Sequence, residues 1–374
     1  MRILVVNWQD RLHPQAGGAE THLHEIFSRL VAAGDHVTLV SCGFDGAPAQ
    51  ERVDGIDVHR IGSRSTFNYA LPLWWWQHGR HLNIDIVIDD INKLPLMTPL
   101  FMRRPIVGII HHLFGDSIFL EAGRLAGTYV QLFEKRIPRV YRHVPVAVVS
   151  ESTRQECIAI GLPADNLHVI YNGIDTSAFP MAVGEKASVP TITSFGRLKR
   201  YKSVDHIIEA MPQILAAIPS ARLEIIGKGD DRPYLESRVA ALGLQASVEF
   251  VGFVSNDEKI QRLQRSHVMV NTSMKEGWGI TNLEANACGV PVVSADSPGL
   301  RDSVKSGTSG LLYPFGDTSM LASTIIRVLE DDSMRQQLSE GAISWANQFT
   351  WDRSAEQMRT LCASTITTWR ESYS

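Results

Sequence analysis

The sequence has few cysteines, no long apolar run and little net charge, and each absence excludes a class of protein. Its four cysteines lie far apart among 374 residues and form no C-x-x-C pair, which argues against a disulfide scaffold or a structural zinc site. No apolar run approaches the ~18 residues that cross a bilayer. With 36 basic and 40 acidic side chains the net charge is −4, so electrostatics gives no reason to expect a nucleic-acid partner.

These absences leave an intracellular enzyme or binding protein as the expected class. The chain enters an apolar strand at Ile3 without the layout of a signal peptide, so we expect reduced thiols and a cytoplasmic location. Peripheral contact with the inner face of the membrane stays open as an alternative. At ~150 residues per domain, the length predicts two domains.

Short apolar runs alternate with amphipathic helical stretches along most of the chain, a pattern typical of α/β proteins with doubly wound parallel sheets. Strands are predicted at Ile3–Asn7, His36–Ser41, Ile56–Ile61, Ile84–Ile88, Pro105–Ile110, Val144–Val149, Leu167–Ile170, Thr191–Phe195, Arg222–Ile226, Val248–Val251, Val268–Asn271, Pro291–Ser294 and Gly310–Leu312. Helices are predicted at Ala19–Ala33, Leu71–Leu82, Arg124–Val140, Ser152–Ile160, Val204–Ala216, Tyr234–Leu242, Asp257–Ser266, Ile280–Ala287, Thr318–Glu330 and Met334–Phe349.

A stretch without apolar periodicity, Ala182–Pro190, is the best candidate for an interdomain linker. We therefore predict an N-terminal domain of residues 1–182 and a C-terminal domain of residues 183–350. Open parallel sheets bind ligands at the carboxyl ends of their strands. The functional residues are accordingly expected in strand-to-helix loops that face a cleft between the two domains.

Three such loops carry chemistry. Gly17 and Gly18, before the first helix, would let a ligand approach the backbone, although a tight turn without a ligand explains them too. The loop Gly196–Ser203 holds four cations, of which Arg197 and Lys202 could clamp a diphosphate; a solvated basic turn is the alternative. It superficially matches the phosphate loop of nucleoside triphosphatases, but Tyr201 stands at the second glycine, which argues against that class.

The third loop is Glu276–Glu284, which begins after an apolar strand and continues into a helix. Carboxylates accept hydrogen bonds from vicinal diols, and the amides from Gly279 through Ile280 to Thr281 suit a phosphate oxygen. A nucleotide sugar, with diols at both ends and phosphates between, fits all three features. In the alternative, Glu284 merely supports the helix surface.

Other motifs are weaker. Gly227-Lys228-Gly229 follows a strand, but Arg232 replaces the third glycine of a dinucleotide fingerprint, which disfavours a dehydrogenase. His111 and His112 end a strand, and one of them could hydrogen-bond a reacting sugar while the other packs or caps. Because no Asp-x-Asp occurs and the paired acids form no evident cation site, we expect no essential metal and no cofactor.

Taken together, these loops resemble those of retaining nucleotide-sugar glycosyltransferases of family 4, also called glycosyl transferases group 1, over nearly the whole chain. The resemblance rests on six pieces in the expected order: Gly17-Gly18-Ala19-Glu20, Val149-Ser150-Glu151-Ser152, Asn172-Gly173-Ile174-Asp175, Gly196-Arg197-Leu198 with Lys202, Val251-Gly252-Phe253, and Glu276 with Glu284 followed by Ala285–Val293. It implies the GT-B fold of two Rossmann-like domains that face each other across a cleft. It also implies that the last segment, residues 351–374 with a helix over Trp351–Thr367, packs back on the N-terminal domain.

The same resemblance implies roles for single residues. Arg197 and Lys202 would hold the diphosphate, Glu284 the ribose hydroxyls and Glu276 the hydroxyls of the donor sugar. The backbone near Gly252–Val254, which includes Phe253, would meet the base, and His111 would approach the sugar. An acidic or hydroxyl residue often follows that histidine in the family, whereas here His112 follows, so the choice between the two histidines stays open.

The function expected is transfer of a hexosyl group, with retention, from a nucleoside-diphosphate sugar to an acceptor hydroxyl of a glycan, lipid or small molecule. A UDP-sugar is favoured over GDP-mannose. The alternatives are a nucleotide-sugar 2-epimerase of the same fold, which needs no acceptor, and a catalytically silent nucleotide-sugar-binding protein. The oligomeric state is not predicted.

Two surface features bear on the acceptor. Trp74-Trp75-Trp76, near Phe67 and Tyr69, could form a sugar- or lipid-contacting surface or part of the core. A second feature is a basic cluster that could meet anionic headgroups or simply be a solvated helix end; its members are Lys135, Arg136, Arg139 and Arg142.

Overall fold

The strands predicted from apolar runs form two separate, mostly parallel sheets. The computed structural model describes residues 1–92, 94–115, 118–121, 123–180 and 186–372. It divides the chain into one unit of Met1–Gly173 with Trp351–Ser374 and a second unit of Ile174–Thr350. The α/β class with two Rossmann-like sheets is therefore confirmed.

The sheet of the first unit has eight strands among the described residues, in the order β3-β4-β2-β1-β5-β6-β7-β8. All neighbours are parallel except β3 and β4. The strands are β1 (Arg2–Val6), β2 (His36–Ser41), β3 (Gln50–Val53), β4 (Ile56–Arg60), β5 (Ile86–Asp90), β6 (Ile106–Ile110), β7 (Val146–Val148) and β8 (Leu167–Val169). The helices are α1 (Gly18–Ala32), α2 (Phe67–Gln77), α3 (Ile118–Glu121), α4 (Arg124–Glu134), α5 (Ile137–Val140) and α6 (Glu151–Ala159).

The sheet of the second unit is wholly parallel, with the order β11-β10-β9-β12-β13-β14. Its strands are β9 (Thr191–Phe195), β10 (Arg222–Ile226), β11 (Val248–Gly252), β12 (Val268–Asn271), β13 (Val292–Asp296) and β14 (Gly310–Pro314). The helices are α7 (Asp205–Ala217), α8 (Arg232–Ala241), α9 (Asn256–Arg265), α10 (Ile280–Ala287), α11 (Leu300–Ser303), α12 (Thr318–Glu330) and α13 (Asp332–Ala346).

The last helix, α14 (Trp351–Ser372), belongs to the first unit although it follows the second in the chain. It packs along α1, where Arg29 Nε lies 2.6 Å from Asp352 Oδ1. Arg359 Nε likewise lies 2.9 Å from the buried Asp35. The units divide at Gly173–Ile174, whereas the predicted boundary at 182–183 and part of the predicted linker fall on residues 181–185, outside the described residues.

Three elements depart from the sequence-based prediction. Strand β3 was not predicted; it pairs antiparallel with β4 through a turn in which Asp54 and Gly55 both have positive φ, as a two-residue hairpin requires. The helix predicted over Arg124–Val140 is broken into α4 and α5, because Pro138 has no N–H for a helical hydrogen bond. The helix predicted over Leu71–Leu82 runs instead from Phe67 to Gln77, and Gly79 follows it beneath the ring of Trp75.

The core of each unit is made of strand side chains together with the apolar faces of helices. All four cysteines are buried thiols. In the part of the chain that is described, no helix combines the length and hydropathy needed to span a membrane.

Candidate functional site

The loops after β9 and β10 pack against each other through glycine. A Cβ added to Gly227 would lie 1.9 Å from the carbonyl oxygen of Gly196. A Cβ added to Gly229 would lie 1.9 Å from the carbonyl oxygen of Leu198. The amide of Leu198 donates to the carbonyl of Lys228 at 3.0 Å. The glycines of the Gly-Lys-Gly motif therefore have a packing reason, which further weakens a dinucleotide-binding interpretation.

Backbone hydrogen bonds continue this contact to the other loops at the carboxyl edge of the sheet. Gly227 N–H donates to Gly252 O at 2.7 Å, and Met274 N–H donates to Tyr201 O at 2.8 Å. The Thr272 hydroxyl donates to Lys202 O at 2.9 Å. The predicted residues after β9, β11 and β12 therefore sit on one connected edge of the second unit.

Lys202 and Glu276 form an ion pair across this edge. Both side chains are about one-sixth exposed, so the pair is largely shielded from water. Burial alone would lower the pKa of Lys202, but the Glu276 carboxylate outweighs this effect and raises it. Lys202 is therefore held as a cation whose charge is partly compensated, and an incoming anionic ligand would compete with Glu276 for it.

The other cations of the loop Gly196–Ser203 have different partners. Lys199 Nζ lies 2.8 Å from Asp230, and Arg200 Nη1 lies 3.1 Å from Asp205. Arg197 is exposed and its guanidinium donates to the Tyr201 hydroxyl at 3.2 Å. Carboxylates outside the loop therefore pair with three of its four cations, so the turn is less basic than its sequence alone indicates.

The loop that carries Glu276 is held by close backbone contacts with the segment that follows β13. The Glu276 amide donates to Pro298 O at 3.0 Å, and an added Cβ at Gly299, whose φ is +78°, would lie 2.1 Å from Glu276 O. Gly279 precedes α10 with φ +70° and an added Cβ there would lie 2.7 Å from Ser303 Oγ. Only glycine fits these close approaches in the left-handed region.

A buried amide network holds the first turn of α10. Asn271, at the end of β12, donates from Nδ2 to Thr281 Oγ1 at 3.1 Å and to Asn282 Oδ1 at 3.0 Å. Asn282 Nδ2 in turn donates to Ser303 Oγ at 2.9 Å. This network orients the helix start at Ile280, whose backbone N–H belongs to the partly positive end of the helix.

Glu284 pairs with a lysine that the sequence did not single out. Lys259 Nζ, on α9, lies 3.1 Å from Glu284 Oε2 and 4.9 Å from the ring centre of Phe179. Burial raises the pKa of Glu284, and the Lys259 ammonium opposes that effect. The two predicted carboxylates thus pair with different lysines. Glu276, in the loop, pairs with Lys202, and Glu284, one turn inside α10, pairs with Lys259.

The segment predicted to meet a base follows β11. Gly252 has φ +84°, and Phe253 is three-quarters exposed with Lys228 Nζ 4.8 Å from the centre of its ring. A broad aromatic surface beside a lysine is suited to contact with a planar, electron-rich ring.

In the first unit, the glycine loop before α1 is capped by its own glutamate. The amide of Gly17 donates to Glu20 Oε2 at 2.7 Å. Gly18 is exposed, and a Cβ added to it would have no described atom within 4 Å, its chain neighbours and the backbone of its own helix aside. Glu20 thus has a local structural role, while Gly18 leaves the backbone at the helix start accessible.

His111 lies within a buried polar cluster at the carboxyl ends of β5 and β6. Its Nε2 is 3.2 Å from Asp90 Oδ1, and its ring centre is 4.8 Å from that of His22 on α1. Burial lowers the pKa of His111, but Asp90 and Glu20 outweigh it and raise that pKa. Burial, together with His111, lowers the pKa of His22 well below its usual value.

The two adjacent histidines therefore differ in environment. The His111 ring lies beside the buried Asp90 carboxylate, which favours its protonated form, whereas His112 packs its ring 4.9 Å from that of Phe114. Asp90 and His22 were not identified as site residues from sequence. Their signal was weak, because Asp90 continues an apolar strand and His22 lies within an ordinary helical pattern.

No group of three or more metal-ligating side chains occurs among the described residues.

Two sequence profiles of known families match consecutive parts of the chain. The profile of Glycosyltransferase Family 4 matches residues 16–178, and that of Glycosyl transferases group 1 matches residues 177–345. Together they cover residues 16–345, which include every predicted site residue.

Full-length relatives and solved structures agree with these matches. An uncharacterized glycosyltransferase of Methanocaldococcus jannaschii is 29% identical over 96% of this chain and 96% of its own. Glycogen synthase of Mycobacterium tuberculosis is 26% identical over 95% and 92%. Sucrose-phosphate synthase of Thermosynechococcus elongatus superposes with a TM-score of 0.82 at 20% identity, covering 98% and 99%. Anabaena HepE, solved with UDP-glucose, gives 0.75 at 21%, covering 98% and 100%.

Proposed function

Because this chain belongs to glycosyltransferase family 4 and has the GT-B type of fold, we propose that it transfers a hexosyl group from a nucleoside-diphosphate sugar, with retention, to an acceptor hydroxyl. We propose a UDP-sugar rather than GDP-mannose as the donor. HepE, a protein of the same fold, has been solved in complex with UDP-glucose, and this supports that choice. The acceptor proposed is a glycan, a lipid or a small molecule.

The observation that carries the proposal is the Lys202–Glu276 pair on the connected loop edge of the second unit. A diphosphate needs cations that stay charged, and Lys202 stays charged because Glu276 raises its pKa. Arg197 adds an exposed guanidinium on the same loop, and the start of α10 adds backbone donors. These groups are suited to stabilise the negative charge that grows on a departing diphosphate.

We propose that this stabilisation replaces a metal ion. The reaction forms a bond from the acceptor oxygen to the anomeric carbon as the bond from that carbon to the phosphate oxygen breaks. In the front-face route proposed here, the acceptor proton passes to the leaving phosphate oxygen, so no enzyme carboxylate has to act as the nucleophile. A double displacement would instead need a covalent glycosyl-enzyme intermediate.

The remaining residues are assigned by their place in the fold and by the family resemblance. Glu284 is proposed to bind the ribose hydroxyls and Glu276 the hydroxyls of the donor sugar. Gly252 and Phe253 are proposed to contact the base. His111 is proposed to donate a hydrogen bond to the donor sugar, because the neighbouring Asp90 carboxylate raises its pKa and so favours the protonated ring.

The test is incubation with UDP-glucose, UDP-galactose and GDP-mannose in the absence of an acceptor. We expect slow release of the nucleoside diphosphate from one UDP-sugar, since water can replace the acceptor. Conversion to an epimeric nucleotide sugar would support an epimerase instead. Tight binding of a donor without any turnover, also after a panel of acceptors is added, would support a silent binding protein.

A further inference from the structure

Two helices of the first unit present apolar side chains to solvent at helical spacing. On α2, Tyr69, Leu73 and Trp76 are 70%, 55% and 59% exposed. Their spacing of four and three residues places them on one face of the helix. The opposite face holds the buried Phe67, Leu71 and Trp75, so the packing of α2 is satisfied without the exposed three.

Helix α4 repeats the pattern. Leu125, Tyr129 and Leu132 are 91%, 40% and 49% exposed, again at a spacing of four and three. The Tyr129 hydroxyl lies within hydrogen-bonding reach of the Tyr69 hydroxyl. The exposed faces of the two helices therefore meet, and we refer to these six residues as the α2–α4 surface.

Basic side chains border the α2–α4 surface. The guanidinium of Arg80 lies 4.9 Å from the centre of the Trp76 ring. Arg124 begins α4, and Lys135, Arg136 and Arg139 follow its end, all of them exposed. Glu134, the acid within this stretch, accepts backbone hydrogen bonds from Phe114 at 2.6 Å and Gly115 at 3.0 Å. Among the described residues, no carboxylate forms a salt bridge with these bordering cations.

We propose that the α2–α4 surface binds an anionic lipid bilayer, with the apolar side chains in the interfacial region and the bordering cations against lipid phosphates. Aromatic and leucine side chains with arginine or lysine beside them are the features by which amphipathic helices lie in a membrane interface. Charge complementarity selects anionic lipid over another apolar partner. This inference goes beyond the transferase activity and does not depend on the donor.

The test is cosedimentation of the full chain with vesicles of phosphatidylcholine alone and of phosphatidylcholine mixed with the anionic lipid phosphatidylglycerol. A stripe variant carries Leu125→Ser, Tyr129→Ser and Leu132→Ser. A charge variant carries Lys135→Gln, Arg136→Gln and Arg139→Gln. The control carries Met320→Ser and Arg327→Gln, an exposed apolar and an exposed basic residue seven apart on α12.

We expect the wild type and the control to pellet with anionic vesicles and not with neutral ones. The charge variant should bind roughly fivefold more weakly for each cation removed, and raised salt should release the wild type. The stripe variant should lose binding while melting like the wild type, because its side chains are exposed. Three results would overturn the proposal: no pelleting of the wild type, equal pelleting of the folded variants, or a wild-type dimer that the stripe variant abolishes.

Discussion

Lys202 and Glu276 meet as an ion pair although 74 residues separate them in the chain. The contact depends on loops joined by backbone hydrogen bonds and on glycines that leave no room for a side chain. Each partner compensates the charge of the other, so the replacement of one residue also changes the environment of the other.

Replacement of Glu276 and replacement of Glu284 should change different kinetic parameters. Binding to ribose contributes equally to ground and transition states, so Glu284→Gln should raise KM for the donor and weaken binding of the free nucleoside diphosphate. Glu276→Gln should lower kcat while diphosphate binding is kept or strengthened, because positioning at the sugar matters as the glycosidic bond lengthens and no carboxylate then competes with the diphosphate for Lys202. Calorimetric titration with UDP, beside steady-state rates, measures both effects. The reverse pattern would mean that the donor lies the other way along the loops.

Activity should not depend on a divalent cation. Lys202, Arg197 and the start of α10 are proposed to supply the charge stabilisation that a metal gives in other transferases. Donor turnover measured after dialysis against excess EDTA should equal that of the untreated enzyme. A loss that Mg²⁺ or Mn²⁺ alone restores would show that a metal is required.

A glycine of the loop edge should be essential to the fold of the second unit. Gly229→Ala would place a Cβ 1.9 Å from the Leu198 carbonyl oxygen, and the backbone shift should cost about 3 kcal/mol or more. Thermal unfolding measures the cost. Gly123→Ala is the matched control, since an added Cβ there would meet no described atom within 4 Å. Equal melting temperatures for the two variants would contradict the packing described.

Stability should depend on pH through the buried Asp89. Its carboxylate accepts hydrogen bonds from Tyr141 at 2.6 Å and Thr98 at 2.5 Å, yet burial raises its pKa to about 6. Because the folded-state pKa exceeds the unfolded value, the stabilisation is full below about pH 4 and is lost as pH rises through 6.

The free energy of unfolding of Asp89→Asn, relative to that of the wild type, should therefore increase by up to about 3 kcal/mol as the pH rises from 4 to 7. Denaturant unfolding at several pH values measures the difference, and the same replacement at the exposed Asp57 gives the baseline. A difference for Asp89→Asn that stays constant with pH would contradict the raised pKa.

Much of the fold could be predicted from the sequence, because parallel strands buried on both faces read as short apolar runs. Strand β3 was missed since Gln50–Val53 is mostly polar, although the turn at Asp54 and Gly55 was a usable signal. The break between α4 and α5 was also readable, from Pro138. In each case a turn or helix breaker carried information that apolar periodicity lacks.

The site could be predicted only in part. The position of Arg197, Lys202, Glu276 and Glu284 in or near loops that follow apolar strands predicted that they lie at one edge of the sheet, because parallel topology brings such loops together. The partner of Glu284 could not be predicted, since Lys259 is one of many charges on a polar helix. Tertiary packing between distant segments decides which charged side chains form pairs, and this cannot be read from local sequence.

The most direct test of the account is the release of UDP from a UDP-hexose by Lys202→Ala, Arg197→Ala and Lys199→Ala enzymes. Loss of a charge-assisted diphosphate contact should cost about 2–5 kcal/mol, or roughly 30-fold to several-thousand-fold in donor turnover. Lys202→Ala and Arg197→Ala should show that loss. Lys199→Ala, which removes a cation of the same loop that pairs with Asp230 at the surface, should turn over like the wild type. Undiminished turnover by folded Lys202→Ala and Arg197→Ala enzymes, or an equal loss in Lys199→Ala, would contradict the diphosphate clamp.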